Sequence, residues 1–334
     1  MKCLVTGAAG FIGYHLCEHL LGRGEEVLGV DNLNAYYNPT LKQDRADRLS
    51  AQSGFEFRRV ELSNRPEVGE LFDTSDFDVV FHLAAQPGVR YSLKNPHAYV
   101  DSNLVAFVNI LEGCRHHGNP HLVYASSSSV YGSNKKVPFS VGDPVDNPVS
   151  LYAATKRANE LTASTYAQLY SMAITGLRFF TVYGPWGRPD MAIYKFVDAM
   201  VRGEPINVFN HGQMRRDFTY IDDIIDGVVR AGDASLDRAF VPEGPAGHRL
   251  YNLGNNHPSP ITDLIDLIEV SLGTKAERRM LPMQPGDVLE TYADIDLSVR
   301  ELGFEPKTSL EEGVWNFVAW YCSYHGVTSP SQHA

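Results

Sequence analysis

The strongest constraint on the fold is a glycine-rich segment close to the start of the chain. Residues 6–13 read TGAAGFIG, with the glycines spaced G-x-x-G-x-x-G. A short apolar run at 3–5 precedes them, an amphipathic pattern from Tyr14 to about Leu21 follows, and a second apolar run occupies 27–30. This order of strand, turn, helix and strand predicts a βαβ unit with the glycines at its first turn.

Each glycine has its own physical role in such a turn. Gly7 allows the tight turn, Gly10 lets a pyrophosphate approach the backbone, and Gly13 lets the helix pack closely on the strand. Asp31 ends the second strand, where a carboxylate accepts hydrogen bonds from an adenine ribose diol and repels a 2′-phosphate. Because no basic residue follows immediately, we expect NAD rather than NADP.

Further apolar runs extend this unit into a sheet. Strands are predicted at 55–60, 78–83 and 121–125, and a long helix is predicted to begin at Asn103. The alternation predicts an α/β fold with a Rossmann-type doubly wound parallel sheet. In the second half, helices are predicted at 191–202, 222–230, 261–272 and 310–324, and strands at 206–209 and 216–220.

Small and polar residues end two of the predicted strands. Residues 83–86 read LAAQ, and four serines stand at 126–129. Open α/β sheets bind ligands at the carboxyl ends of their strands. Short side chains at 83–86 would therefore let a cofactor lie against the backbone, and the serines would face a ligand.

A tyrosine and a lysine four residues apart, Tyr152 and Lys156, share one face of a predicted helix. A nearby ammonium favours the phenolate, so we expect the pKa of Tyr152 to lie below its ordinary value of about 10. Such a phenol could accept a proton from a sugar hydroxyl near neutral pH. By itself the pair also fits a surface helix, so its interpretation depends on the glycine turn and the strand ends.

The overall charge narrows the range of partners. The chain has 334 residues and a formal net charge of -11, which argues against nucleic acid as the main partner. A few local arginines can still reverse the field inside a cleft. No apolar run approaches the ~20 residues of a transmembrane helix, and the four cysteines show neither zinc nor disulfide spacing. We therefore expect a cytoplasmic protein with no membrane segment and no metal site.

Taken together, these motifs resemble the extended short-chain dehydrogenase/reductase superfamily, and specifically its nucleotide-sugar 4-epimerases. The matching segments are 6–13, 31–32, 83–86, 126–132, Tyr152 with Lys156, and 178–185. Within that group the chain looks most like the UDP-glucuronate 4-epimerases, with the closest resemblance at 90–92, 184–191, 215–220 and 283–288. The resemblance covers nearly the whole chain.

The resemblance also implies an organisation of the chain. It implies an NAD-binding Rossmann domain at 1–183, which carries the serine, tyrosine and lysine, and a smaller α/β lobe at 184–327 that binds the nucleotide sugar. Some segments of the lobe are expected to return to the first domain, and 328–334 is expected to be a polar tail. A homodimer is implied through the helices around 103–114 and 153–170.

The resemblance implies a role for each matching position. Tyr152 would be the acid/base, Lys156 would lower its pKa and hold the nicotinamide ribose, and Ser127 would hydrogen-bond the reacting sugar oxygen. The implied cofactor contacts are Gly7, Gly10, Phe11, Ile12, Gly13, Asp31, Asn32, Glu61, Leu62, Leu83, Ala84, Ala85, Gln86, Asn103, Lys156 and Phe179. The implied contacts of the UDP-sugar are Arg90, Ser127, Ser128, Ser129, Tyr152, Thr181, Arg188, Lys195, Val208, Phe209, Arg216 and Asp287. Glu61 departs from the family, which usually has Asp there, so the adenine contact of this side chain is open.

Four of these positions bear on whether the sugar carries a carboxylate. Oxidation of a uronic acid at C4 gives a β-keto acid that readily loses carbon dioxide, so an epimerase must hold the carboxylate. Ser128, Ser129, Thr181 and Arg188 could form such a clamp, in which arginine supplies charge-assisted hydrogen bonds. Related dehydratases carry an Asp-Glu pair after the serine, and related decarboxylases a Glu near 129, which this chain lacks.

The implied reaction is the interconversion of UDP-glucuronate and UDP-galacturonate through a transient 4-keto sugar with bound NAD. Two alternatives remain within the superfamily: a 4-epimerase of UDP-glucose or UDP-N-acetylglucosamine, and a UDP-glucuronate decarboxylase. From a different class, the chain could be a non-catalytic NAD-sensing protein. The intact set of Ser127, Tyr152 and Lys156 argues against that last alternative.

Overall fold

The computed structural model describes residues 1–234, 247–284 and 286–328. The predicted tail lies outside these residues except for Thr328, and so does Pro285 of the motif at 283–288.

Twelve strands form in the described residues. They are β1 (Lys2–Thr6), β2 (Glu26–Asp31), β3 (Phe55–Arg59), β4 (Val79–His82), β5 (His121–Ser127), β6 (Ile174–Phe179), β7 (Thr181–Tyr183), β8 (Ile206–Phe209), β9 (Arg215–Tyr220), β10 (His248–Leu253), β11 (Pro258–Pro260) and β12 (Arg278–Leu281).

Eleven α-helices accompany these strands in the same parts of the chain. They are α1 (Phe11–Gly22), α2 (Pro39–Ser50), α3 (Arg65–Asp73), α4 (Pro96–Tyr99), α5 (Ala106–His116), α6 (Leu151–Tyr170), α7 (Ala192–Val201), α8 (Ile221–Asp233), α9 (Ile261–Leu272), α10 (Asp296–Leu302) and α11 (Leu310–His325).

The central sheet has seven parallel strands in the order β10-β6-β5-β4-β1-β2-β3. Thr6 at the end of β1 lies opposite both Val30 of β2 and His82 of β4. The strand order reverses between β1 and β4, and ligands of doubly wound sheets bind at such a point. The predicted Rossmann-type sheet is thereby confirmed.

Helices cover both faces of this sheet. Cys3 and Val5 pack into one core with α1 and α8, whereas Leu4 packs into a second core with α3, α5 and α6. Because both faces of β1 are buried, its sequence is a continuous apolar run rather than an alternating one.

A smaller lobe follows β6. β7 pairs with β9 in parallel and β9 pairs with β11 in the antiparallel sense, while β8 pairs with β12. β10 leaves this part of the chain and completes the seven-stranded sheet, with Leu253 opposite Phe179.

The helix that was expected to begin at Asn103 begins earlier, so that expectation is wrong. Asn95 accepts a hydrogen bond from the amide of Ala98 and starts α4 at Pro96. A π-helical stretch, Val100–Val105, then joins α4 to α5 and contains Asn103. The wider turn reflects tertiary contacts of Asn103, described below, which its sequence neighbours do not signal.

Helix α2 was not predicted from the sequence because two charged residues lie on its buried face. Leu41, Ala46 and Leu49 are its buried apolar residues, and Lys42 and Arg45 are buried beside them. Apolar periodicity is the main sequence signal for a helix, and charged residues interrupt that signal here.

Gly13→Ala should destabilise the protein because of the close approach in the first turn. A Cβ atom on Gly13 would lie 2.1 Å from the carbonyl oxygen of Gly7, whose φ is +72°. We expect the free energy of unfolding to fall by about 1–3 kcal/mol, the usual cost of overpacking, as measured by urea denaturation.

Gly22→Ala in the same helix is the matched control. No atom lies within 4 Å of a Cβ at Gly22, so this change should be neutral or stabilising by up to ~1 kcal/mol. Equal effects of the two substitutions would contradict the packing argument.

Candidate active site

A cavity lies at the carboxyl ends of β1, β4 and β5, between the glycine turn and the start of α6. Most of the predicted cofactor residues and three predicted substrate residues line it. These are Gly7, Gly10, Phe11, Ile12, Gly13, Asp31, Asn32, Glu61, Leu62, Leu83, Ala84, Ala85, Ser127, Tyr152, Lys156, Phe179 and Arg188.

The other predicted residues do not line this cavity. They are Gln86, Asn103, Arg90, Ser128, Ser129, Thr181, Lys195, Val208, Phe209, Arg216 and Asp287. Sequence reasoning also missed several lining residues, among them Asn34, Tyr36, Tyr37, Lys42, Ser102, Ala106 and Met191. The aromatic pair of Tyr36 and Tyr37, in the loop after the acidic end of β2, is the one sequence signal that could have indicated part of this group.

The first turn of α1, which follows the glycine turn, presents its backbone amides to the cavity. Gly10 is the N-cap residue of α1 and supplies no side-chain acceptor to the first turn of that helix. The amide groups there remain available to an anion, and the helix dipole favours negative charge at this end. The turn therefore fits the pyrophosphate of a dinucleotide.

Asp31 stands at the far end of the same cavity. Its Oδ1 accepts a hydrogen bond of 2.8 Å from the amide of Leu33. Burial raises the pKa of Asp31, although the charge of Lys42 opposes this effect. Lys42 reaches the site from α2 and donates to the backbone and side-chain oxygens of Asn34 at 3.0 and 2.8 Å.

Glu61 is turned toward its neighbours in the chain. It accepts hydrogen bonds from Asn32 Nδ2 at 2.8 Å and from the amide and hydroxyl of Ser63 at 3.1 and 2.9 Å. Burial alone would raise the pKa of Glu61, but these hydrogen bonds outweigh it and lower the pKa. The Glu61 side chain, which is longer than the Asp usual in the family, thus remains an ionised part of the cavity wall.

Tyr152 occupies the first turn of α6, where the hydroxyl of Ser150 accepts a hydrogen bond from the amide of Ala153 at 3.1 Å. Burial raises the pKa of Tyr152, while a hydrogen bond with Ser127 and the charge of Arg188 lower it. The expectation that Lys156 brings this pKa below its ordinary value is wrong for this structure.

The ammonium of Lys156 is directed elsewhere. Its Nζ donates a 2.8 Å hydrogen bond to the carbonyl oxygen of Ala125 in β5. Burial lowers the pKa of Lys156 to about 8, against an opposing effect of Glu160. Lys156 therefore lies against the end of β5 in the cavity wall, one turn along α6 from Tyr152.

A buried ion pair supports the serine-rich end of β5. Arg178 Nε and Nη2 donate to the two carboxylate oxygens of Glu160 at 2.8 and 2.9 Å, and both side chains are 1% exposed. The hydroxyl of Ser126 donates to the same carboxylate at 2.6 Å. Truncating one partner of such a pair leaves a buried charge unpaired, so this pair holds β5, β6 and α6 in register.

The serines after Ser126 form a tight turn. The amide of Ser129 donates to the Ser127 hydroxyl at 3.2 Å, and the two hydroxyl groups lie 3.2 Å apart. Ser128 begins this short 3₁₀ turn, which ends at Tyr131. Thr181 begins β7, the strand that leads to Arg188.

Arg188 is held by a bidentate ion pair. Its Nε and Nη2 donate to Oδ1 and Oδ2 of Asp190 at 2.9 and 2.6 Å. The hydroxyl of Tyr36 donates to Asp190 Oδ2 at 3.1 Å. Arg188 lowers the pKa of Tyr152 and Asp190 raises it, so both charges act on the phenol.

A second group of charges lies beyond Arg188. Arg90 forms an ion pair of 2.8 Å with Asp287, and its guanidinium lies 4.8 Å from the ring centroid of Phe209. Arg216 donates to the carbonyl oxygen of Val288 at 2.8 Å. Burial lowers the pKa of Lys195 against the opposing charge of Asp190, and the charges of Arg90 and Arg188 lower it further.

Three predicted contacts are parts of the packed interior. Asn103 accepts a hydrogen bond of 2.7 Å from the amide of Gln86, and its Nδ2 donates to Thr155 Oγ1 at 3.1 Å. Both amide side chains are buried, and Val208 is buried in the core. Asn103 thus ties the end of β4 to α6 behind the cavity wall.

The parallel sheet, the glycine turn and the cluster of Ser127, Tyr152 and Lys156 define a class of dinucleotide-dependent enzymes acting on sugars. The model of the NAD dependent epimerase/dehydratase family matches residues 3–242. The chain belongs to this family.

Relatives within the family have more specific names. UDP-glucuronate 4-epimerase 4 of Arabidopsis thaliana is 48% identical, and the match covers 96% of this chain and 75% of that protein. A probable UDP-glucuronate 4-epimerase of Rhizobium meliloti is 45% identical, and the match covers 96% and 97% of the two chains. A similar solved structure is the crystal structure of UDP-glucuronic acid 4-epimerase from Bacillus cereus in complex with UDP-glucuronic acid and NAD. It superposes with a TM-score of 0.88 at 35% identity, and the match covers 97% of this chain and 100% of that one.

The described residues contain neither a metal-binding cluster nor a membrane-spanning helix. Among residues 1–234, 247–284 and 286–328, no group of three or more His, Cys, Asp or Glu side chains could hold a metal ion. Within the same ranges, no helix combines the length and the apolar character needed to cross a bilayer.

Ser127→Ala and Asp190→Asn should shift the pKa of Tyr152 in opposite directions. Ser127→Ala removes the hydrogen bond that lowers this pKa, so the pKa should rise; Asp190→Asn removes a negative charge that raises it, so the pKa should fall. The measurement is the ultraviolet absorbance of the phenolate against pH, with the same titration in a Tyr152→Phe background subtracted.

The surface variant Asp226→Asn is the control, because Asp226 pairs with Arg230 on the exposed side of α8. Shifts of the same sign in the two site variants would contradict this account of the electrostatics.

Proposed function

We propose that the protein is a UDP-glucuronate 4-epimerase that interconverts UDP-glucuronate and UDP-galacturonate with bound NAD. The observation that carries this proposal is the place of Arg188, which lines the same cavity as Ser127, Tyr152 and Lys156 and acts electrostatically on the phenol. A cation beside the acid/base suits a hexose whose C6 is a carboxylate. The names of the relatives and the ligands of the Bacillus cereus structure support the same reaction.

The chain's own residues perform the proton chemistry. Tyr152 takes the proton of the sugar 4-hydroxyl, and the Ser127 hydroxyl holds the same oxygen by a hydrogen bond. Bound NAD accepts the C4 hydride and returns it to the opposite face, so no net redox change results. The glycine turn and Asp31 would hold its pyrophosphate and adenine ribose, and Lys156 would hold the nicotinamide ribose. The 4-keto sugar turns within the site between the two transfers.

The second chemical task is to keep the carboxylate. In the 4-keto sugar the carboxyl group is β to a ketone, and its loss requires the carboxylate charge to move toward the C4 oxygen. Hydrogen bonds from Ser128, Ser129 and Thr181, with the charge of Arg188, stabilise the carboxylate before this movement and so slow the loss. The turn at 127–129 and the start of β7 supply these groups from two sides.

The proposed nucleotide site lies in the smaller lobe. Arg216 pairs with the pyrophosphate, Val208 and Phe209 lie near the uracil, and Arg90, Lys195 and Asp287 complete the nucleotide contacts. In support, Arg216 donates hydrogen bonds to carbonyl groups and a thioether rather than to carboxylates of the described residues. This cationic cleft in a chain of net charge -11 would attract an anionic nucleotide sugar. We assign 1–183 to the cofactor domain and 184–327 mainly to this lobe.

Incubation of the purified protein with UDP-glucuronate, without added NADH, should yield UDP-galacturonate. Proton NMR of the sugar resonances follows the product, because the two sugars differ in configuration at C4. Release of carbon dioxide with a UDP-pentose would instead identify a decarboxylase. Absence of turnover together with tight NAD binding would favour an NAD-sensing protein.

Two variants serve as controls for this assay. Tyr152→Phe should lower kcat by roughly 10²–10⁴-fold, the usual contribution of a general acid/base. Arg188→Ala should impair turnover of UDP-glucuronate more than that of UDP-glucose, because the effect of Arg188 on Tyr152 is common to both substrates whereas only UDP-glucuronate has a C6 carboxylate to contact. Equal impairment with both substrates would contradict that contact and favour the neutral-sugar epimerase.

We also propose a homodimer formed through α5 and α6. The two helices pack against each other and present exposed apolar side chains, Val108 at 36%, Leu161 at 54% and Leu169 at 65% exposure. Such a face is a candidate for association with a second copy. The cytoplasm is our proposed location, supported by four cysteines that are all free and buried.

The double variant Leu161→Asp, Leu169→Asp should sediment as a monomer in analytical ultracentrifugation, because two charges would be buried in the interface. Val270→Asp is the control, since Val270 is equally exposed at 65% but lies on α9. If Val270→Asp dissociated the dimer, or if the double variant remained a dimer, the interface would lie elsewhere.

A further inference from the structure

The turn that bears Arg188 has an unusual backbone. Gly184 has a φ of +145° and Trp186 a φ of +58°. A bulky residue with positive φ is a genuine outlier and persists only where its surroundings hold it. The position of Arg188 therefore depends on whatever holds residues 184–187.

Arg45 of α2 binds this turn directly. Its Nη2 donates to the carbonyl oxygen of Trp186 and lies 3.4 Å from that of Gly187. Its Nη1 donates at 2.9 Å to the carbonyl oxygen of Ala9, within the glycine turn, and at 2.9 Å to the hydroxyl of Tyr37. One guanidinium thus connects the cofactor turn with the turn that carries Arg188.

This arrangement costs stability. Arg45 is 0% exposed, its Nε has no hydrogen-bond partner, and no carboxylate within the described parts of the chain forms an ion pair with it. Burial raises the pKa of Asp31 and the charge of Arg45 acts to lower it, but a buried charge that forms no ion pair is still expensive. A neutral side chain could fill the same space at lower cost, so packing alone does not account for an arginine here.

We propose that Arg45 is a positioning residue that sets the place of Arg188 and thereby limits loss of the substrate carboxylate. This inference rests on the proposed function. At the 4-keto stage two outcomes compete. In one, the hydride returns to C4 and UDP-galacturonate or UDP-glucuronate forms. In the other, the C5–C6 bond breaks, its electron pair enters the enolate of the C4 ketone, carbon dioxide leaves, and protonation at C5 gives a UDP-4-keto-pentose.

A small movement of Arg188 is enough to change this competition. Hydrogen bonds weaken steeply with distance and angle, and those to charged groups are among the strongest. Without Arg45, the carbonyl groups of Trp186 and Gly187 lose their donor and the turn can relax toward an ordinary backbone. The guanidinium of Arg188 would then move away from the carboxylate.

The test is the ratio of carbon dioxide released to UDP-galacturonate formed, from UDP-glucuronate labelled in its carboxyl carbon. The ratio compares two fates of one intermediate, so the fraction of enzyme that holds NAD does not affect it. For Arg45→Met we expect the ratio to rise about tenfold, the change that corresponds to loss of about one hydrogen bond. For Arg45→Lys, which retains the charge but has a single donor group, we expect a smaller rise.

Arg48→Met is the matched control. Arg48 lies on the same helix and its guanidinium is 5.2 Å from the ring of Trp186, but its Nε donates to Tyr14 rather than to the carbonyl groups of the turn. Its ratio should stay within about twofold of the wild-type value. A role in packing the turn alone would move the ratio in Arg48→Met as much as in Arg45→Met.

The possible outcomes are distinguishable. An unchanged ratio in Arg45→Met overturns the inference alone, provided that the wild type forms UDP-galacturonate. If Arg45→Met does not fold, an unchanged ratio in Arg45→Lys overturns it, and so does an equal rise in Arg48→Met. A wild type that forms no UDP-galacturonate overturns the proposed function and this inference together.

Discussion

The close approach of α1 to the end of β1 is the constraint on which the rest of the structure depends. At Gly13 the helix backbone comes so near the carbonyl of Gly7 that no side chain fits between them. This contact brings the free amides of α1 to the point where the strand order reverses. A dinucleotide bound there lies along the carboxyl ends of the strands, so every other part of the site is arranged relative to this turn.

The catalytic groups reach this edge from separate elements, and buried polar contacts hold them there. The Glu160–Arg178 pair joins α6 to β6 behind the serines of β5. Asn103 joins the end of β4 to the same helix. Tyr152 and Lys156 are consequently fixed against a rigid support. A proton transfer within a closed site requires that such groups are already held in position, and several contacts together provide this.

The electrostatics of the phenol differ from the simple expectation for a tyrosine above a lysine. Burial has the largest effect on the pKa of Tyr152 and raises it, whereas Ser127 and Arg188 lower it. Lys156 instead donates a hydrogen bond to a carbonyl oxygen of β5. Arg188 is in turn balanced by Asp190. Arg188, which we propose to hold the substrate carboxylate, therefore also acts on the phenol that we propose as the acid/base, and this would link the choice of sugar to the chemistry at C4.

Much of the fold and of the cofactor site follows from the sequence, because glycine spacing, apolar strands and a strand-end carboxylate are local patterns with a single good structural solution. The sheet, the turn at Gly7 and the place of Asp31 were predicted in this way. Helix α2 could not be predicted, since its buried side chains Lys42 and Arg45 are charged and the partners of Arg45 lie in distant parts of the chain. The pairing of Arg188 with Asp190 and the direction of the Lys156 side chain could not be predicted either, because burial and neighbouring charges determine both. The sequence by itself determined which chemical groups the protein possesses and that they lie at the carboxyl edge of the sheet. Only the tertiary structure decided which of these groups contact one another, because desolvation and charge pairing arise only once separate segments have packed together.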